Sequence, residues 1–189
     1  MAKEIYRDFK IEDGVEWTTI YYDDGSVYGE GEIGEPFKTY YRLSEIIVRG
    51  KDIQERLSAC EATYDILPAF VREHLKDSPK LPDTIACRDI GVELYLRLGE
   101  WDKARSAINK IAAAGAYGDN GLAAFKYFQN YKQTAELALN FLRQNPGFPQ
   151  NKIYKALIGA DKDCLKSFTR SSMMIHKVKA GNTNKLYCK

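Results

Sequence analysis

The residues best suited to chemistry in this sequence are basic side chains concentrated toward its C-terminal end. From Gln150 onward there are nine lysines and arginines and two acidic residues, a local net charge of +7, whereas the whole chain of 189 residues carries +2. The residues before Gln150 are therefore net acidic. A segment with this charge favours an anionic partner such as a phosphate backbone. The alternative is a lysine-rich surface that only faces solvent.

Cysteines and histidines could support a metal site or redox chemistry, but their spacing favours neither. The four cysteines and two histidines are scattered and include no CxxC pair: Cys60, Cys87, Cys164, Cys188, His74 and His176. Metal sites usually draw ligands from closely spaced pairs. We expect free, buried thiols, because an unpaired cysteine behaves as a small hydrophobe, and we expect no metal or other cofactor.

The sequence carries no motif that by itself indicates an enzyme. It contains no GxxxxGK[ST], HExxH or GxSxG pattern. The cluster GEGEIG at 29–34 has the GxGxxG spacing, but its acidic residues would repel phosphate. We therefore expect a binding protein that is not an enzyme and has no catalytic residues.

The basic segment is predicted to fold as two short helices followed by a β-hairpin. The helices are expected at 150–157 and 161–172, and the strands at 175–178 and 185–188. Asp161 is placed to cap the second helix, and Leu165 and Phe168 of that helix are expected to face inward. This order resembles the later half of a winged helix-turn-helix domain, with residues 180–184 as the wing.

The winged-helix resemblance implies a set of nucleic-acid contacts. In this family the second helix enters the major groove, where polar and basic side chains meet phosphates and base edges, and the wing lies along the backbone. Asn182 or Asn184 would contact a sugar or a groove edge. Winged helices also act as protein-interaction modules, so a protein partner is the alternative. The residues expected to contact nucleic acid are Lys162, Lys166, Thr169, Arg170, Lys177, Lys179 and Lys185.

Residues 85–116 have the pattern of two amphipathic helices joined by a tight turn. Gly99 ends the first helix where a left-handed backbone is needed, and Trp101 is expected to wedge between the helices. The segment resembles a tetratricopeptide repeat, although it has Gly91 four residues before the first aromatic residue and lacks a closing proline. The residues that match the repeat are Tyr95, Leu98, Gly99, Trp101, Ala104, Ile108 and Ile111.

A second, shorter repeat is predicted after the first, with Tyr131 in the position of Trp101. Its helices are placed at 121–128 and 134–144, its turn at 129–131 and its closing proline at Pro146. Isolated repeats cannot bury their apolar faces, so about three must stack. We expect such a stack over 37–145, with the helices around Pro68 as its third member and a concave face for a protein or peptide. A plain helical bundle without a groove is the alternative.

The first third of the chain changes from strand patterns to helical patterns at Pro36. Strands are predicted at 4–11, 15–22 and 27–28, and helices at 37–47, 53–67 and 70–75. Asp-Gly at 24–25 is a strong hairpin signal. Gly29, Gly31 and Gly34 are expected to end the sheet, and Pro68 is expected to kink or restart its helix.

These patterns predict a mainly α (α+β) fold with three parts. They are a β-hairpin element at 1–35, a tetratricopeptide-like stack at 36–148 and a winged-helix-like basic unit at 149–189. The chain shows no apolar run long enough for a membrane span and no secretory signal, so we expect a cytoplasmic protein. We expect a regulatory protein with a helical-repeat interaction surface and a nucleic-acid-binding C-terminal unit. The alternative is a scaffold that binds only proteins, and the oligomeric state stays open.

Overall fold

The computed structural model of the chain describes residues 2–12 and 15–189. It is mainly helical and contains two antiparallel sheets of three strands each, so the predicted α+β class is confirmed. The first of two compact units contains the chain up to Cys87 together with Ala113–Ala116, and the second contains Arg88–Ala112 and Tyr117–Lys189. These units cut across the predicted division into 1–35, 36–148 and 149–189. Within the described residues, no helix combines the length and apolarity needed to cross a membrane.

The first unit begins with a sheet in the order β1-β2-β3. Its strands are β1 (Glu4–Glu12), β2 (Val15–Tyr22) and β3 (Val27–Ile33), so the predicted hairpin and third strand are confirmed. The turn between β2 and β3 contains Gly25 with a φ of 81°, which glycine adopts without strain. The predicted end of the sheet at Gly29 is wrong. β3 keeps its register with β2 through Gly31, which pairs with Trp17, because the β-branched and aromatic residues of β2 sustain the pairing.

After the sheet, most of the first unit consists of two helices, α1 (Phe37–Arg49) and α2 (Ile53–Asp77), which pack against each other. Tyr40 of α1 stacks on Phe70 of α2 with ring centroids 3.6 Å apart. The prediction that the helix could restart at Pro68 is wrong, because α2 is continuous through this residue. Leu67 and Phe70 are 0% and 1% exposed. Their burial on both sides of the proline offsets the one backbone hydrogen bond that proline cannot donate.

The helical pair predicted around Gly99 is confirmed as two helices. A π-helical turn (Cys87–Gly91) leads into α3 (Val92–Leu98), and α4 (Trp101–Ala113) follows. Gly99 has a φ of 79°, and its N–H donates to the carbonyl of Leu96 at 3.2 Å. This left-handed residue closes α3 and reverses the chain.

The second predicted helical pair is wrong, because the segment forms one helix, α5 (Gly121–Gln144). The expected turn at 129–131 lies in the middle of this helix. Phe128, Tyr131 and Ala135 are buried there at helical spacing, and after Gly121 the helix contains neither glycine nor proline to interrupt it. The apolar periodicity therefore continues, and α5 does not supply a second repeat.

The C-terminal elements are β4 (Phe148–Pro149), α6 (Gln150–Ala156), α7 (Lys162–Ser171), β5 (Ile175–Ala180) and β6 (Thr183–Cys188). The strands form an antiparallel sheet in the order β4-β6-β5, and α7 packs on α5. The two predicted helices and two predicted strands are confirmed, whereas β4 was not predicted. The strands extend further than expected, so the wing placed at 180–184 reduces to a turn of Gly181 and Asn182, with a φ of 61° at Gly181.

Candidate nucleic-acid interface

The outer face of α7 carries a stripe of cations. Lys162, Lys166 and Arg170 are exposed and spaced four residues apart, which places them along one side of the helix. On the opposite side Leu165 and Phe168 are buried, and the Phe168 ring lies edge-on to Tyr131 of α5 with centroids 6.5 Å apart. The packing of the apolar side fixes the orientation of α7 and directs the three cations to solvent.

Asp161 caps the first turn of α7, as the sequence predicts. Its carboxylate accepts hydrogen bonds from the backbone N–H groups of Asp163 at 3.0 Å and Cys164 at 2.9 Å. The pKa of Asp161 is lowered from its ordinary value, chiefly by the bond from the Cys164 backbone. The charged cap therefore defines where α7 begins, one residue before Lys162.

Thr169 does not lie on the outer face of α7, so its expected contact with nucleic acid is wrong. Its side chain is 0% exposed. The hydroxyl lies 3.0 Å from the hydroxyl of Tyr154 on α6, and it donates to the carbonyl of Lys166 at 3.3 Å. Thr169 is next to Phe168 on the helical circumference, and it faces α6 instead of solvent.

Two cations hold the C-terminal end of α7. Lys177 of β5 donates its ammonium to the carbonyl of Arg170 at 2.6 Å, and Arg97 of α3 donates its Nε–H to the carbonyl of Ser171 at 2.9 Å. Burial, and then the charge of Arg97, lower the pKa of Lys177. Positive groups at this position complement the negative end of the helix dipole. Arg97 lies 74 residues from Ser171 in the chain, so no local sequence signal could have indicated its role.

An open cleft of about 560 Å³ separates α3 from α7. Its lining includes the cations Arg97, Lys166 and Arg170 and the carboxylates of Glu93 and Asp163. The three cations can attract an anion such as a phosphate, whereas the two carboxylates oppose it. Glu93 and Asp163 therefore offset part of the positive charge of Lys166 and Arg170 within the cleft.

The β-hairpin separates the remaining predicted lysines. Lys177 pairs with Leu186 and Lys179 pairs with Asn184, so these residues share one face of the sheet. Leu186 is fully buried, which identifies this face as the one toward the helices. Lys185 follows Leu186 directly and therefore lies on the opposite face. The fold thus places Lys179 on the same side of the hairpin as Lys177 and leaves Lys185 away from both.

Amide side chains connect the hairpin to α6 and α7. Asn184 donates to the side-chain oxygen of Gln150 at 2.8 Å, and Gln150 donates to the carbonyl of Thr169 at 3.2 Å. Asn184, one of two asparagines predicted to contact a sugar or a groove edge, is therefore engaged within the fold. Asn182 at the turn is exposed.

The residues that match the tetratricopeptide pattern are part of the packed core of the second unit. Tyr95, Ala104 and Tyr131 are at most 2% exposed. Trp101 is half-buried, and its ring lies 6.4 Å from that of Tyr131 on α5. A Cβ atom at Gly99 would lie 2.5 Å from the sulfur of Met174, just before β5. The turn of the helical pair therefore contacts the C-terminal elements directly.

A second, more apolar cleft lies among α3, α4 and α5. It has a volume of about 260 Å³. No feature of the sequence pointed to this cleft, because the spacing of its lining residues indicates only that they lie on the apolar faces of helices. Three charged residues, Arg88, Asp89 and Glu93, also line it. The apolar and aromatic residues that line it are Val92, Leu96, Ile108, Tyr117, Ala124, Tyr127 and Phe128.

The cysteines are all free, and three of them are buried. Burial raises the pKa of the Cys60 thiol to about 12. Burial, followed by the hydrogen bond to Asp161, does the same for Cys164. In the part of the chain that the structure describes, no group of three or more His, Cys, Asp or Glu side chains is arranged to hold a metal ion.

Comparison of the chain with known proteins identified no relative. No protein-family model, curated protein or solved structure matches the chain significantly. The geometry of its own residues therefore carries the functional assignment.

Proposed function

We propose that this protein binds a nucleic-acid duplex through α7 and the β5–β6 hairpin. The observation that carries the proposal is the exposed stripe of Lys162, Lys166 and Arg170 on a helix whose opposite face is packed in the core. A helix pair, α6 and α7, followed by an antiparallel hairpin also supports the winged-helix resemblance. The resemblance and the charge thus point to the same surface.

The dimensions of α7 suit a groove of DNA. Its ten residues span about 15 Å at the usual rise of 1.5 Å per residue, and the major groove of B-DNA, about 12 Å wide, admits one helix. Lysine and arginine contact phosphate oxygens on both sides of a groove. Lys179 on the hairpin extends the cationic surface beyond the helix.

The side chains at this surface favour binding that depends weakly on base sequence. Base recognition needs positioned hydrogen-bonding groups at base edges. Thr169 is buried and the amide of Asn184 is bound to Gln150, so two of the predicted polar contacts are engaged inside the fold. Long, flexible cations remain, and these contact phosphates. Counterion release then supplies most of the affinity.

The test is a fluorescence anisotropy titration of a random-sequence duplex at low and moderate salt. The triple variant Lys162→Glu, Lys166→Glu and Arg170→Glu should lose binding. A matched variant with three exposed lysines of the first unit changed to glutamate should retain it, because the net charge changes equally. These control positions are Lys38, Lys51 and Lys80. Equal losses in the two variants, or no binding by the unaltered protein at low salt, would refute the proposal.

The second candidate function is binding of a protein or peptide by the helical pair, as in a scaffold. The apolar cleft of about 260 Å³ among α3, α4 and α5 supports it, because that volume accepts one apolar side chain of a partner. Phe128 lines the cleft. A protein that captures peptides but no duplex, and that loses the peptides when Phe128 is changed to Ala, would favour this function over the first.

A further inference from the structure

An open groove of about 280 Å³ lies between α6 and the β5–β6 hairpin. Pockets for small molecules measure about 300–1,000 Å³, so this groove suits one planar ring system and not a larger ligand. Its lining is uncharged and combines one aromatic ring with four amides. The lining residues are Gln150, Asn151, Tyr154, Asn182, Thr183 and Asn184.

Hydrogen bonds hold three of these side chains in place. Asn184 donates to Gln150, which in turn donates to the carbonyl of Thr169. The hydroxyl of Tyr154 lies 3.0 Å from that of Thr169, while Tyr154 as a whole is 38% exposed. The aromatic ring is therefore fixed at the groove with part of its surface open to a ligand.

The side chains of the groove have the chemistry that recognises a nucleobase. An aromatic ring stacks on the flat face of any base, and proteins commonly hold unpaired bases in this way. An amide offers both donors and an acceptor, which match the edge of a base. Asn151 and Asn182 are exposed at the groove and can turn their amides toward such an edge.

A cation lies beside the groove, where a phosphate attached to the base would be. Lys179 of β5 pairs with Asn184 of β6, and residues opposite each other in antiparallel strands have Cβ atoms about 4.5–5.5 Å apart on one face. Lys179 also lines a second hollow, of about 340 Å³, which shares Asn182, Thr183 and Asn184 with the groove. The neutral groove with its neighbouring lysine thus matches a nucleotide, whereas a sugar would leave the lysine unused.

We propose that this groove holds one unpaired base of a nucleic acid whose duplex part binds α7. The inference rests on the proposed duplex binding and adds to it the recognition of an unpaired nucleotide. The base stacks on Tyr154, the amides of Asn151 and Asn182 bond to its edge, and Lys179 contacts its phosphate. The protein therefore prefers a duplex that carries an unpaired nucleotide over a fully paired one.

The test compares duplexes that differ in a single base. Each carries one unpaired residue at a 3′ or a 5′ end, either an adenine nucleotide or an abasic residue, so the phosphates are the same. In fluorescence anisotropy titrations, the unaltered protein should bind the adenine duplex about fivefold or more tightly for at least one end, because the base stacks on an aromatic ring. Equal affinities at both ends would overturn this proposal but leave duplex binding intact, whereas absence of all binding would overturn both.

Variants are compared by the ratio of the adenine and abasic affinities, because a general change in duplex binding cancels in this ratio. Tyr154→Leu should lower it about fivefold or more, and Asn182→Ala, at an exposed turn residue, about threefold. Tyr154→Phe keeps the ring and should keep the ratio. Tyr28→Leu, at a tyrosine of β3 that is 52% exposed, is the matched control and should keep it as well. An unchanged ratio in Tyr154→Leu, or an equal loss in either Tyr154→Phe or Tyr28→Leu, would overturn the proposal.

A free nucleotide offers the same base and phosphate, so adenosine monophosphate is titrated as a competitor. It should displace the adenine duplex only at concentrations far above the dissociation constant of that duplex, because it lacks the contacts with α7. Displacement at or below that constant would assign the groove to a free nucleotide and would overturn the assignment to a nucleic-acid end.

Discussion

The salt dependence of duplex binding can be worked out from the cations that the fold leaves available. Lys162, Lys166, Arg170 and Lys179 are exposed on or beside the α7 surface. Lys177 is excluded because its ammonium is bonded to a carbonyl at the end of α7. Four phosphate contacts predict a slope of about −3.6 for the logarithm of the association constant against the logarithm of salt concentration. Affinity should then fall about 150-fold between 50 and 200 mM salt.

Single lysine variants make this prediction sharper. Lys179→Gln should reduce the magnitude of the slope by about 0.9, since it removes one phosphate contact. Lys185→Gln should leave the slope unchanged, because Lys185 lies on the opposite face of the sheet from Lys179. The two lysines lie in the same hairpin and carry the same charge, so each variant is the matched control for the other.

Fluorescence anisotropy with a labelled duplex, repeated at several salt concentrations, measures the slope. Equal effects of Lys179→Gln and Lys185→Gln would show that both faces of the hairpin contact nucleic acid or that only net charge matters. Either outcome refutes the assignment of the interface to one face. A slope near −1 in the unaltered protein would refute the four contacts.

Three further predictions concern the ends and the buried groups of the fold. Asp161→Ala should lower the free energy of unfolding in urea by about 1 kcal/mol. Because the pKa of Asp161 is lowered in the folded protein, the stabilisation by its charge is fully present above the ordinary value of 3.8 and disappears as the pH falls through the folded pKa. A difference in stability between the variant and the unaltered protein that persists in strong acid would contradict the cap. Thr169→Val should cost about 1–2 kcal/mol by removing the hydrogen bond to Tyr154, yet leave duplex affinity unchanged in anisotropy titrations. Cys60 and Cys164, with thiol pKa values raised to about 12, should resist iodoacetamide until urea unfolds the chain, and mass spectrometry showing alkylation of either residue in the folded protein would contradict their burial.

The features that could be predicted from the sequence are those with local causes. Asp161 caps α7 through bonds to residues two and three positions away, and Gly25 and Gly99 turn the chain with positive φ angles. Such signals depend on a few adjacent residues. For this reason the hairpins, the helical pair around Gly99 and both C-terminal helices were predictable.

The features that could not be predicted depend on distant partners. Thr169 looks like an outward polar residue, and only its approach to Tyr154 on α6 reveals that it is buried. The expected turn at 129–131 has polar residues, but burial of Tyr131 between helices keeps α5 continuous. Arg97 is one of many surface-type cations in the sequence, and its bond to Ser171 becomes visible only in the folded chain.

Gly99 lies where the helical pair contacts the residues before β5. This contact gives the glycine a second role, besides its part in the turn. On one side Arg97, two residues earlier, accepts a hydrogen bond at its carbonyl from the N–H of Met173 at 2.8 Å. On the other side the missing Cβ of Gly99 makes room for Met174, whose sulfur would lie 2.5 Å from it. The end of α3 and the start of β5 thus meet at the point where a side chain on residue 99 would displace the end of the Met174 side chain.

Gly99→Ala should therefore destabilise the protein through two separable effects. The left-handed backbone at a φ of 79° costs an alanine about 1–2 kcal/mol. The contact with Met174 adds a smaller cost of about 1 kcal/mol, because the flexible end of that side chain can shift. Met174→Ala removes the second effect but leaves the first. In urea unfolding, the double variant should therefore be more stable than the sum of the single variants predicts, by at least about 0.5 kcal/mol. Strict additivity would mean that Gly99 is required by its turn alone and that the helical pair does not depend on its contact with the residues before β5.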